Sequence, residues 1–568
     1  MPTPLSLRAW PVVAMLAVTL VGAAIRLIDL GAASFDPSEV GEINTAEALR
    51  LPHAQAWSPV APLSAWITAA ALHWGDAEAT LRLSSAVAGT LTILAVWALG
   101  LLSSGAETGM YAAVALAVSP LHVALSRRVG TDAWLTLLVT LAALAFIWAM
   151  QASAARRRQL LCMAVALLAC TCGSRALLGL AAMAITAAAL AVPQPSVRRL
   201  AARSCLMLLL LAAAGSIFVF YHPPPVDDTL PRPDFGWTFP LQLLSQLATG
   251  QPQRPWAAAV LLAGAILGLV ADGGSAVGIL STLWVLIGVA GVLFGEWLIR
   301  LPFKPQDVGF VLPAYLLLGA AGLAWLRRTL CSDRARRGAQ GAALALLLAI
   351  ELPGLVGGFN QQPASWRAAA QVVGDNIRPN DVLVVLAEQP AFAFYAPDLA
   401  QRMEPDVRPS RASGYFVHRK RGWLVAPTRL KERIGWTAMV RWLERFPPVD
   451  LSPDAGITLL YMGQGGRDEL FLETAYFTLP TATLVRGTLL LDWLQQIGPV
   501  PAVLWKVDQI ALSREALDFR NPSLLSAVYD LAQHNQGGRA ASLAYRLATA
   551  EPDWDEAQRA LAAFRPGR

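Results

Sequence analysis

The sequence predicts a mainly α-helical, polytopic transmembrane bundle of about eleven spans, followed by a C-terminal extracytoplasmic α/β domain and a short tetratricopeptide-like helical tail. Three observations predict this fold class. Hydrophobic residues make up 55% of the 568 residues and charged residues only 15%, with a mean hydropathy of +0.48. A soluble protein carries about 25% charged residues. Uncharged apolar runs recur from Ala9 to Gly358, and charge density rises after Phe359.

Each predicted span is an apolar stretch of roughly membrane-spanning length. The first apolar run has no small-residue cleavage site, because Arg26 and Leu27 follow it directly, so we interpret it as an uncleaved span. The predicted spans are Ala9–Ile25, Leu83–Leu102, Thr108–Leu125, Ala133–Met150, Leu160–Gly173, Ala176–Val192, Cys205–Tyr221, Trp256–Val270, Val277–Leu298, Val308–Trp325 and Ala339–Val356.

Arginines between the spans predict the orientation. With a cytoplasmic N-terminus, the connections after the fourth, sixth and tenth spans are also cytoplasmic, and these hold the densest short arginine clusters, as the positive-inside rule requires. The first loop (26–82), the turns at 127–132 and 175, the loop 222–255 and the chain beyond 356 then lie outside. We therefore predict a multi-pass protein of the inner, cytoplasmic membrane. The net charge of +6 reflects this topology, and without a basic face interleaved with aromatics, nucleic acid is not an expected partner.

Three domains are predicted. Residues 1–358 form the transmembrane domain with its long first outer loop, residues 359–512 the α/β domain, and residues 513–568 the helical tail. Short strands are indicated at Asp381–Leu386, Gly422–Ala426 and Ile457–Met462. Helices are indicated at Trp366–Ile377, Thr428–Phe446 and, in the tail, Asp553–Phe564.

The first loop carries the most informative acidic residues, in the stretch Asp36-Pro37-Ser38-Glu39. One interpretation is a helix start, with Asp36 as N-cap, Pro37 at the first helical position and Glu39 at the third. The other is catalytic, because a carboxylate at a membrane surface can take a proton from an acceptor hydroxyl or amine. Both interpretations fit the sequence.

A second group of charges is predicted on the same outer side. Asp132 precedes a span, where it is either a helix cap or a second carboxylate facing the first loop. Arg127 and Arg128 stand beside it and run against the positive-inside bias. Arginines bind phosphate through a two-pronged guanidinium. Other outer cations at span ends, each an interfacial anchor or part of a phosphate site, are Arg82, Arg175, Arg300 and Lys304.

The remaining titratable residues give weaker indications. Glu296 and Glu351 lie in or at the edge of spans, where a carboxylate is costly and so a candidate for function. The five cysteines all fall in or beside apolar spans, which predicts packing roles and no disulfide framework. The histidines lack metal-site spacing. No metal site and no cofactor are indicated, although a divalent metal is compatible with the chemistry.

The order of these motifs resembles the GT-C glycosyltransferases, particularly the protein O-mannosyltransferase and aminoarabinose lipid A transferase branch. The resemblance spans Ala9–Trp325. Its motifs are Asp36, Glu42-Ile43, Pro62-Leu63, Leu81-Arg82-Leu83-Ser84-Ser85-Ala86-Val87-Ala88-Gly89, Ser119-Pro120-Leu121-His122 with Ser126-Arg127 and Thr131-Asp132-Ala133, and Gly173-Ser174-Arg175.

The resemblance implies transfer of a sugar from a polyprenyl-phosphate-type lipid donor to an acceptor on the outer face, which is a glycan, a lipid or a protein. Asp36 would be the base, with Glu39 as a substitute, and Asp132 would orient the acceptor or support the site. The phosphate would be held by Arg127, Arg128, Arg175 and Lys304.

Two other functions stay open at this point. Pro37 stands where the family has a second acid, and Lys304-Pro305-Gln306-Asp307 where it has Arg-Tyr. These departures suggest the alternative of a diverged, non-catalytic membrane scaffold whose C-terminal domain recruits partners. A transporter would show intramembrane charges in paired halves, and the sequence shows no such repeat.

Overall fold

The protein is described by a computed structural model. It describes residues 6–50, 62–75, 77–151, 156–191, 202–203, 205–208, 210, 239–249, 255–299, 304–330, 332–360, 366–379, 381–386, 389–404, 421–427, 456–462, 470–478, 483–485, 510–511, 529, 541, 544, 548 and 555–564. The chain forms two compact units. The membrane unit comprises Met1–Ala32 and Gly41–Asn360, and the C-terminal unit comprises Ala33–Val40 and Gln361–Arg568.

The membrane unit is built of helices. In chain order they are α1 (Ser6–Leu27), α2 (Pro37–Arg50, whose first residues belong to the other unit), α3 (Pro62–Ala71), α4 (Glu78–Leu102), α5 (Ala106–Val118), α6 (Pro120–Ser126), α7 (Asp132–Met150), α8 (Arg156–Cys170), α9 (Ala176–Ala191), α10 (Phe239–Thr249), α11 (Pro255–Asp272), α12 (Ala276–Ile299), a 3-10 helix (Pro305–Val311), α13 (Leu312–Thr329) and α14 (Asp333–Asn360).

Among the described residues, five helices are long and apolar enough to cross a membrane, or six if one bent pair counts as a single span. They contain the segments Glu78–Leu102, Asp132–Met150, Ala276–Trp297, Pro305–Thr329 and Arg334–Phe359. Helix α4, with 25 residues at about 1.5 Å per residue, exceeds the roughly 30 Å hydrocarbon core. The chain is therefore a multi-pass membrane protein, and the count of about eleven spans stays a prediction. Most of the predicted span Cys205–Tyr221 lies outside the described residues.

The predicted span Thr108–Leu125 is broken in the structure into α5 and α6, with a bend of 63° between them. Pro120 begins α6, and a proline has no N–H to donate to the carbonyl four residues earlier. The buried guanidinium of Arg26 supplies the missing donors. It bonds to the carbonyls of Leu116 and Ala117 at 3.2 and 3.1 Å. The break is thus stabilised from the first helix.

Small residues let α11 and α13 pack closely. A Cβ added to Gly268 would collide with the carbonyl of Leu318, and one added to Gly322 would collide with the carbonyl of Gly264. Close backbone approach through small residues is a common way for helices to associate in membranes. These glycines set the distance between the two helices.

Polar contacts at one end of the membrane unit join three connections that the predicted topology places on the cytoplasmic side. Arg327 forms an ion pair with Glu107, and Arg328 donates to the carbonyl of Ser104. The hydroxyl of Ser103 donates to Asp272. Connections predicted to share a side of the membrane therefore contact one another.

The C-terminal unit contains a mixed β-sheet with helices. Its described elements are α15 (Trp366–Asn376), β1 (Val382–Val385), α16 (Gln389–Tyr395), α17 (Pro397–Ala400), β2 (Arg421–Pro427), β3 (Gly456–Met462), β4 (Leu470–Thr478), β5 (Thr483–Val485), β6 (Ile510–Ala511) and α18 (Asp555–Phe564). The order is β1-β2-β3-β4-β5, and β6 pairs with β4. The pairs β1–β2 and β2–β3 are parallel, and the others are antiparallel.

Several predicted elements overlap those of this unit. Strands β1, β2 and β3 overlap the three predicted strands, and α15 and α18 overlap two of the predicted helices. All four residues of β1 are buried, which suits a parallel strand covered on both faces. The predicted helix Thr428–Phe446 and most of the predicted tail lie outside the described residues. The division into three domains stays a prediction.

A segment of the first loop, Ala33–Val40, belongs to the C-terminal unit. Phe35 is 1% exposed, and its ring contacts Phe394 edge-to-face at 5.4 Å and stacks on Tyr395 at 6.3 Å between ring centroids. Its backbone N–H donates to the Tyr395 hydroxyl at 2.7 Å. This segment carries Asp36 and Glu39, so the unit formed largely by residues beyond 360 holds the acidic motif.

Candidate active site

Arg175 joins two carboxylates that are distant in sequence. Its Nη1 lies 3.4 Å from Oδ1 of Asp132, the first residue of α7, and its Nη2 bonds to Oδ1 of Asp307 in the 3-10 helix. The side chains of Arg175 and Asp132 are 34% and 31% exposed. Because the guanidinium offers two parallel donors, it can exchange these carboxylates for the oxygens of a phosphate.

Asp307 is held in place by the turn in which it sits. Its Oδ2 accepts the backbone N–H of Lys304 at 2.9 Å, which caps the 3-10 helix and leaves Oδ1 directed at Arg175. The exposed side chain of Lys304 lies within electrostatic reach of Asp132 and of Glu296. The turn therefore brings one carboxylate and one ammonium group to Arg175.

Glu296 adds a third carboxyl group from the end of α12. It is 7% exposed, and its carboxyl lies against that of Asp307. Among the described residues, Oε2 of Glu296 has no hydrogen-bond partner. Glu296 thus places a buried carboxyl group beside Asp307, one of the two carboxylates that Arg175 contacts.

Glu42 of α2 supplies the fourth carboxyl group. The hydroxyl of Ser64 donates to its Oε2 at 3.4 Å. Burial raises the pKa of Glu42, and the negative charge of Asp132 raises it further, against the opposing effect of the Ser64 hydrogen bond. A carboxylate with a raised pKa is a stronger base than an ordinary carboxylate, which suits it to accepting a proton.

Arg128 links the turn before α7 to the 3-10 helix. Its Nη1 donates to Oε1 of Gln306 at 2.8 Å, and its charge acts on Asp132. We call the whole assembly the Arg175 cluster. It consists of Glu42, Arg128, Asp132, Arg175, Glu296, Lys304, Gln306 and Asp307.

Two of the predicted phosphate ligands bond elsewhere in the membrane unit. Arg127 donates to carbonyls at the C-terminal end of α1, including those of Ile25 at 3.2 Å and Asp29 at 3.1 Å. Arg82 is 3% exposed and donates to the carbonyl of Leu30 at 3.2 Å. These bonds satisfy acceptors that a helix end leaves unpaired. Their predicted role in binding phosphate stays a prediction.

Asp36 and Glu39 form a reciprocal helix cap in the C-terminal unit. Oδ1 of Asp36 accepts the N–H groups of Ser38 and Glu39 at 2.9 and 3.0 Å, and Oε2 of Glu39 accepts the N–H of Asp36 at 3.0 Å. The cap interpretation of this motif therefore holds. The catalytic interpretation is compatible with it and stays a prediction, for Asp36 as base and for Glu39 as its substitute.

Within the described part of the chain, no group of three or more histidine, cysteine, aspartate or glutamate side chains is arranged to hold a metal ion. The four described cysteines are free thiols, namely Cys162, Cys170, Cys172 and Cys205. The predicted outer cation Arg300 lies outside the described residues.

The predicted site residues Asp132, Arg128, Arg175 and Lys304 lie together in the structure. The sequence indicates Glu296 only as an isolated intramembrane acid, and it does not indicate the contribution of Asp307 and Gln306. One available signal was that Asp307 lies three residues after Lys304, as in a helix cap. In the sequence, Glu42 stands out only as part of the motif Glu42-Ile43.

Comparison with known proteins supports the resemblance. Residues 59–222 match the family model described as dolichyl-phosphate-mannose-protein mannosyltransferase. The match confirms the predicted resemblance to protein mannosyltransferases over this part of the chain, which includes Asp132 and Arg175. A search of curated proteins finds no match.

Two solved structures are similar over most of the chain. ArnT from Cupriavidus metallidurans in the apo state is 14% identical, with a TM-score of 0.48, covering 80% of this chain and 93% of that one. The apo oligosaccharyltransferase of Archaeoglobus fulgidus is 12% identical, with a TM-score of 0.48, covering 80% of this chain and 69% of that one. At such low scores, neither likeness identifies the activity of this chain.

Proposed function

We propose that the protein is a membrane glycosyltransferase that transfers a sugar from a polyprenyl-phosphate-type lipid donor to an acceptor on the outer face of the cytoplasmic membrane. The observation that carries this proposal is the convergence of Asp132 and Asp307 on Arg175, beside the cations Lys304 and Arg128. Four connections that the topology predicts on one side contribute to this cluster. The family match over residues 59–222 supports the same class of reaction.

We assign the cations of the Arg175 cluster the role of stabilising the leaving phosphate. When the bond between the sugar and the phosphate breaks, negative charge grows on the phosphate oxygens, and positioned cations stabilise that charge. Arg175 would release Asp132 or Asp307 and take up phosphate oxygens through its two-pronged guanidinium. Lys304 and Arg128 would add positive charge nearby.

We assign the carboxylates the roles of deprotonating and orienting the acceptor. The acceptor hydroxyl or amine loses a proton as it attacks the sugar, and a carboxylate within hydrogen-bond reach accepts it. Asp36 remains our candidate for this base, with Glu39 as its substitute. Asp132 would orient the acceptor, and Glu42 is a further candidate because of its raised pKa.

The experiment uses the full-length protein in membrane vesicles and a panel of polyprenyl-phosphate sugars labelled in the sugar, including dolichyl-phosphate mannose. Label is followed into lipid, glycan and protein fractions. We expect Arg175→Lys to lower transfer roughly tenfold to hundredfold, because lysine cannot form the two-pronged contact. Asp36→Asn tests the base in the same assay.

The matched control is Arg336→Lys, a conservative change at an exposed arginine outside the cluster. Transfer by this variant should equal that of the unsubstituted protein. Full transfer by Arg175→Lys would remove Arg175 from the mechanism. Absence of transfer from every donor in the panel would overturn the proposed function.

A specific observation favours the alternative of a non-catalytic scaffold. Arg175 bonds to two carboxylates, and the carboxylates of Asp36 and Glu39 accept N–H groups of a helix cap. Under this alternative the charges only hold helices together. Lipid-linked sugar that copurifies with the protein and is lost in Arg175→Lys would support the glycosyltransferase. Its absence from the unsubstituted protein would support the scaffold.

A further inference from the structure

The acidic segment of the first loop is folded into the C-terminal unit, although more than three hundred residues separate them in sequence. The hydrogen bond from the Phe35 N–H to the Tyr395 hydroxyl joins residues 360 apart. A second bond, from the N–H of Arg367 to the hydroxyl of Ser34 at 3.2 Å, joins residues 333 apart. Both bonds lie immediately before Asp36 in the chain.

The side chain of Phe35 is buried in this attachment. It is 1% exposed and packs in an aromatic group with Phe394 and Tyr395, which themselves meet edge-to-face at 5.2 Å between centroids. Aromatic pairs of this kind have defined geometry, so they fix orientation as well as depth. The backbone that follows Phe35 is thereby fixed in direction.

Asp36 follows directly and is fixed in turn by its own helix cap. Its Oδ1 accepts the N–H groups of Ser38 and Glu39, and Glu39 bonds back to the Asp36 N–H. The cap and the neighbouring attachment of Phe35 therefore both restrain the Asp36 carboxylate. Because Phe35 and Asp36 share one peptide bond, we expect a movement of the aromatic group to shift Asp36 as well.

We infer that the C-terminal unit is a positioning element for the acidic motif, and that Phe35 and Tyr395 are the positioning residues that fix the Asp36 carboxylate. The inference rests on the proposed function, because it gives the unit a role in that reaction. A catalytic base must lie within hydrogen-bond reach of the acceptor, and a displacement of about 1 Å can cost roughly a hundredfold in rate. In this proposal the C-terminal unit has a role in the reaction itself, whereas in the scaffold alternative it only recruits partners.

The test uses the full-length protein in membrane vesicles, with Tyr395→Phe as the principal variant. This change keeps the ring that stacks on Phe35 and removes only the hydroxyl that accepts its N–H. The second variant, Phe35→Leu, keeps an apolar side chain and removes the aromatic contacts. The matched control is Tyr315→Phe, since the Tyr315 hydroxyl is buried in the membrane unit and bonds to none of the described residues.

Two quantities are measured for each protein. Hydrogen exchange of the peptide containing residues 33–40 reports on the attachment, and we expect it to rise roughly tenfold in Tyr395→Phe. Transfer kinetics with labelled dolichyl-phosphate mannose report on positioning. We expect kcat to fall roughly tenfold or more in both variants, with an unchanged KM for the donor, and no change in Tyr315→Phe.

The outcomes are distinct. Faster exchange with an unchanged kcat would overturn the positioning role, and so would unchanged exchange in Tyr395→Phe. Equal losses of kcat in Tyr395→Phe and Tyr315→Phe would indicate a general effect of removing a hydroxyl and would also overturn it. Failure of the proposed function is seen separately, as absence of transfer by the unsubstituted protein whatever the exchange rate.

Discussion

Nη2 of Arg26 lies 2.7 Å from Nδ1 of His122, and both residues are 0% exposed inside the membrane unit. A guanidinium has donors only, so Nδ1 of His122 is the acceptor and the ring carries its proton on Nε2. Nε2 meets no acceptor among the described residues, so the hydrogen bond from Arg26 to Nδ1 is the one that selects this neutral tautomer. Arg26 thus fixes both the break between α5 and α6 and the state of the histidine that follows it.

Replacing Arg26 with methionine should destabilise the membrane unit. The carbonyls of Leu116 and Ala117 would lose their donors at the break, and we expect the free energy of unfolding to fall by about 2–4 kcal/mol. Thermal unfolding of the purified protein in detergent measures the change. Arg328→Met is the matched control, because the bond from Arg328 to the Ser104 carbonyl is exposed to solvent, and a similar loss there would contradict the explanation.

Restoring a backbone donor should partly offset the loss of Arg26. Pro120→Ala introduces an N–H within reach of the carbonyl of Leu116, one of the two acceptors that Arg26 now satisfies. In a double-mutant cycle of Arg26→Met with Pro120→Ala, we expect a coupling free energy of about 1 kcal/mol. Strict additivity of the two changes would show that the proline and the arginine act independently.

The adjacent arginines 127 and 128 should respond differently to substitution. Arg127 bonds to carbonyls at the end of α1 and lies 4.7 Å from the centre of the Phe359 ring, so Arg127→Met should lower stability by about 1–3 kcal/mol. Arg128 contacts Gln306 in the Arg175 cluster. Arg128→Met should therefore lower the rate of sugar transfer, and it should lower the free energy of unfolding less than Arg127→Met does. Unfolding and transfer measured on both variants decide this, and identical profiles would refute it.

Stability should depend on pH through Glu42. Burial and the nearby charge of Asp132 raise its pKa in the folded protein, so the folded protein holds this proton more tightly than the unfolded chain does. Its contribution to the free energy of unfolding is therefore present at low pH and is lost as pH rises through the raised pKa. Glu42→Gln should accordingly gain stability over the unsubstituted protein at pH 8, and the gain should shrink towards pH 5.

The control for this prediction is Glu47→Gln, at an exposed position of the same helix. Because the Glu47 side chain is exposed, this variant shows whether losing any glutamate charge from α2 changes the melting temperature. A difference in melting temperature that stays flat with pH for Glu42→Gln would mean that Glu42 titrates alike in the folded and unfolded chain.

Two glycine-to-alanine changes should have opposite signs. Gly268→Ala puts a methyl group against the carbonyl of Leu318 and should lower stability by about 1–3 kcal/mol. Gly338→Ala, in α14, meets no atom within 4 Å and should raise stability by about 0.5–1 kcal/mol through helix propensity. Detergent melting temperatures compare the two, and a loss at both positions would point to a general effect of the methyl group.

The sequence was informative wherever a feature depends on composition or on near neighbours. Apolar runs predict the long helices, and Asp36 with Glu39 predicts the cap that the structure contains. The grouping of Asp132, Arg128, Arg175 and Lys304 followed from topology, because span ends on one side of a membrane must lie at one end of the bundle. That argument required only a count of spans.

Features that depend on pairs far apart in sequence were not predicted. Asp307 meets Arg175 across 132 residues, and no local pattern chooses that partner over another acid at the same end. The break at Pro120 was missed because hydropathy averages over a window and cannot register one absent N–H. The capture of Phe35 by Tyr395 was missed for the same reason as the Asp307 pair.

The attachment of Phe35 also sets an order of events during synthesis. Phe35 emerges from the ribosome 360 residues before Tyr395, the residue whose hydroxyl its backbone will meet. Throughout that interval, while the intervening helices enter the bilayer one after another, the nascent chain must hold an apolar ring without its final contacts. A truncated product that stops before Tyr395 would lack both the ring that stacks on Phe35 and the hydroxyl that accepts its N–H.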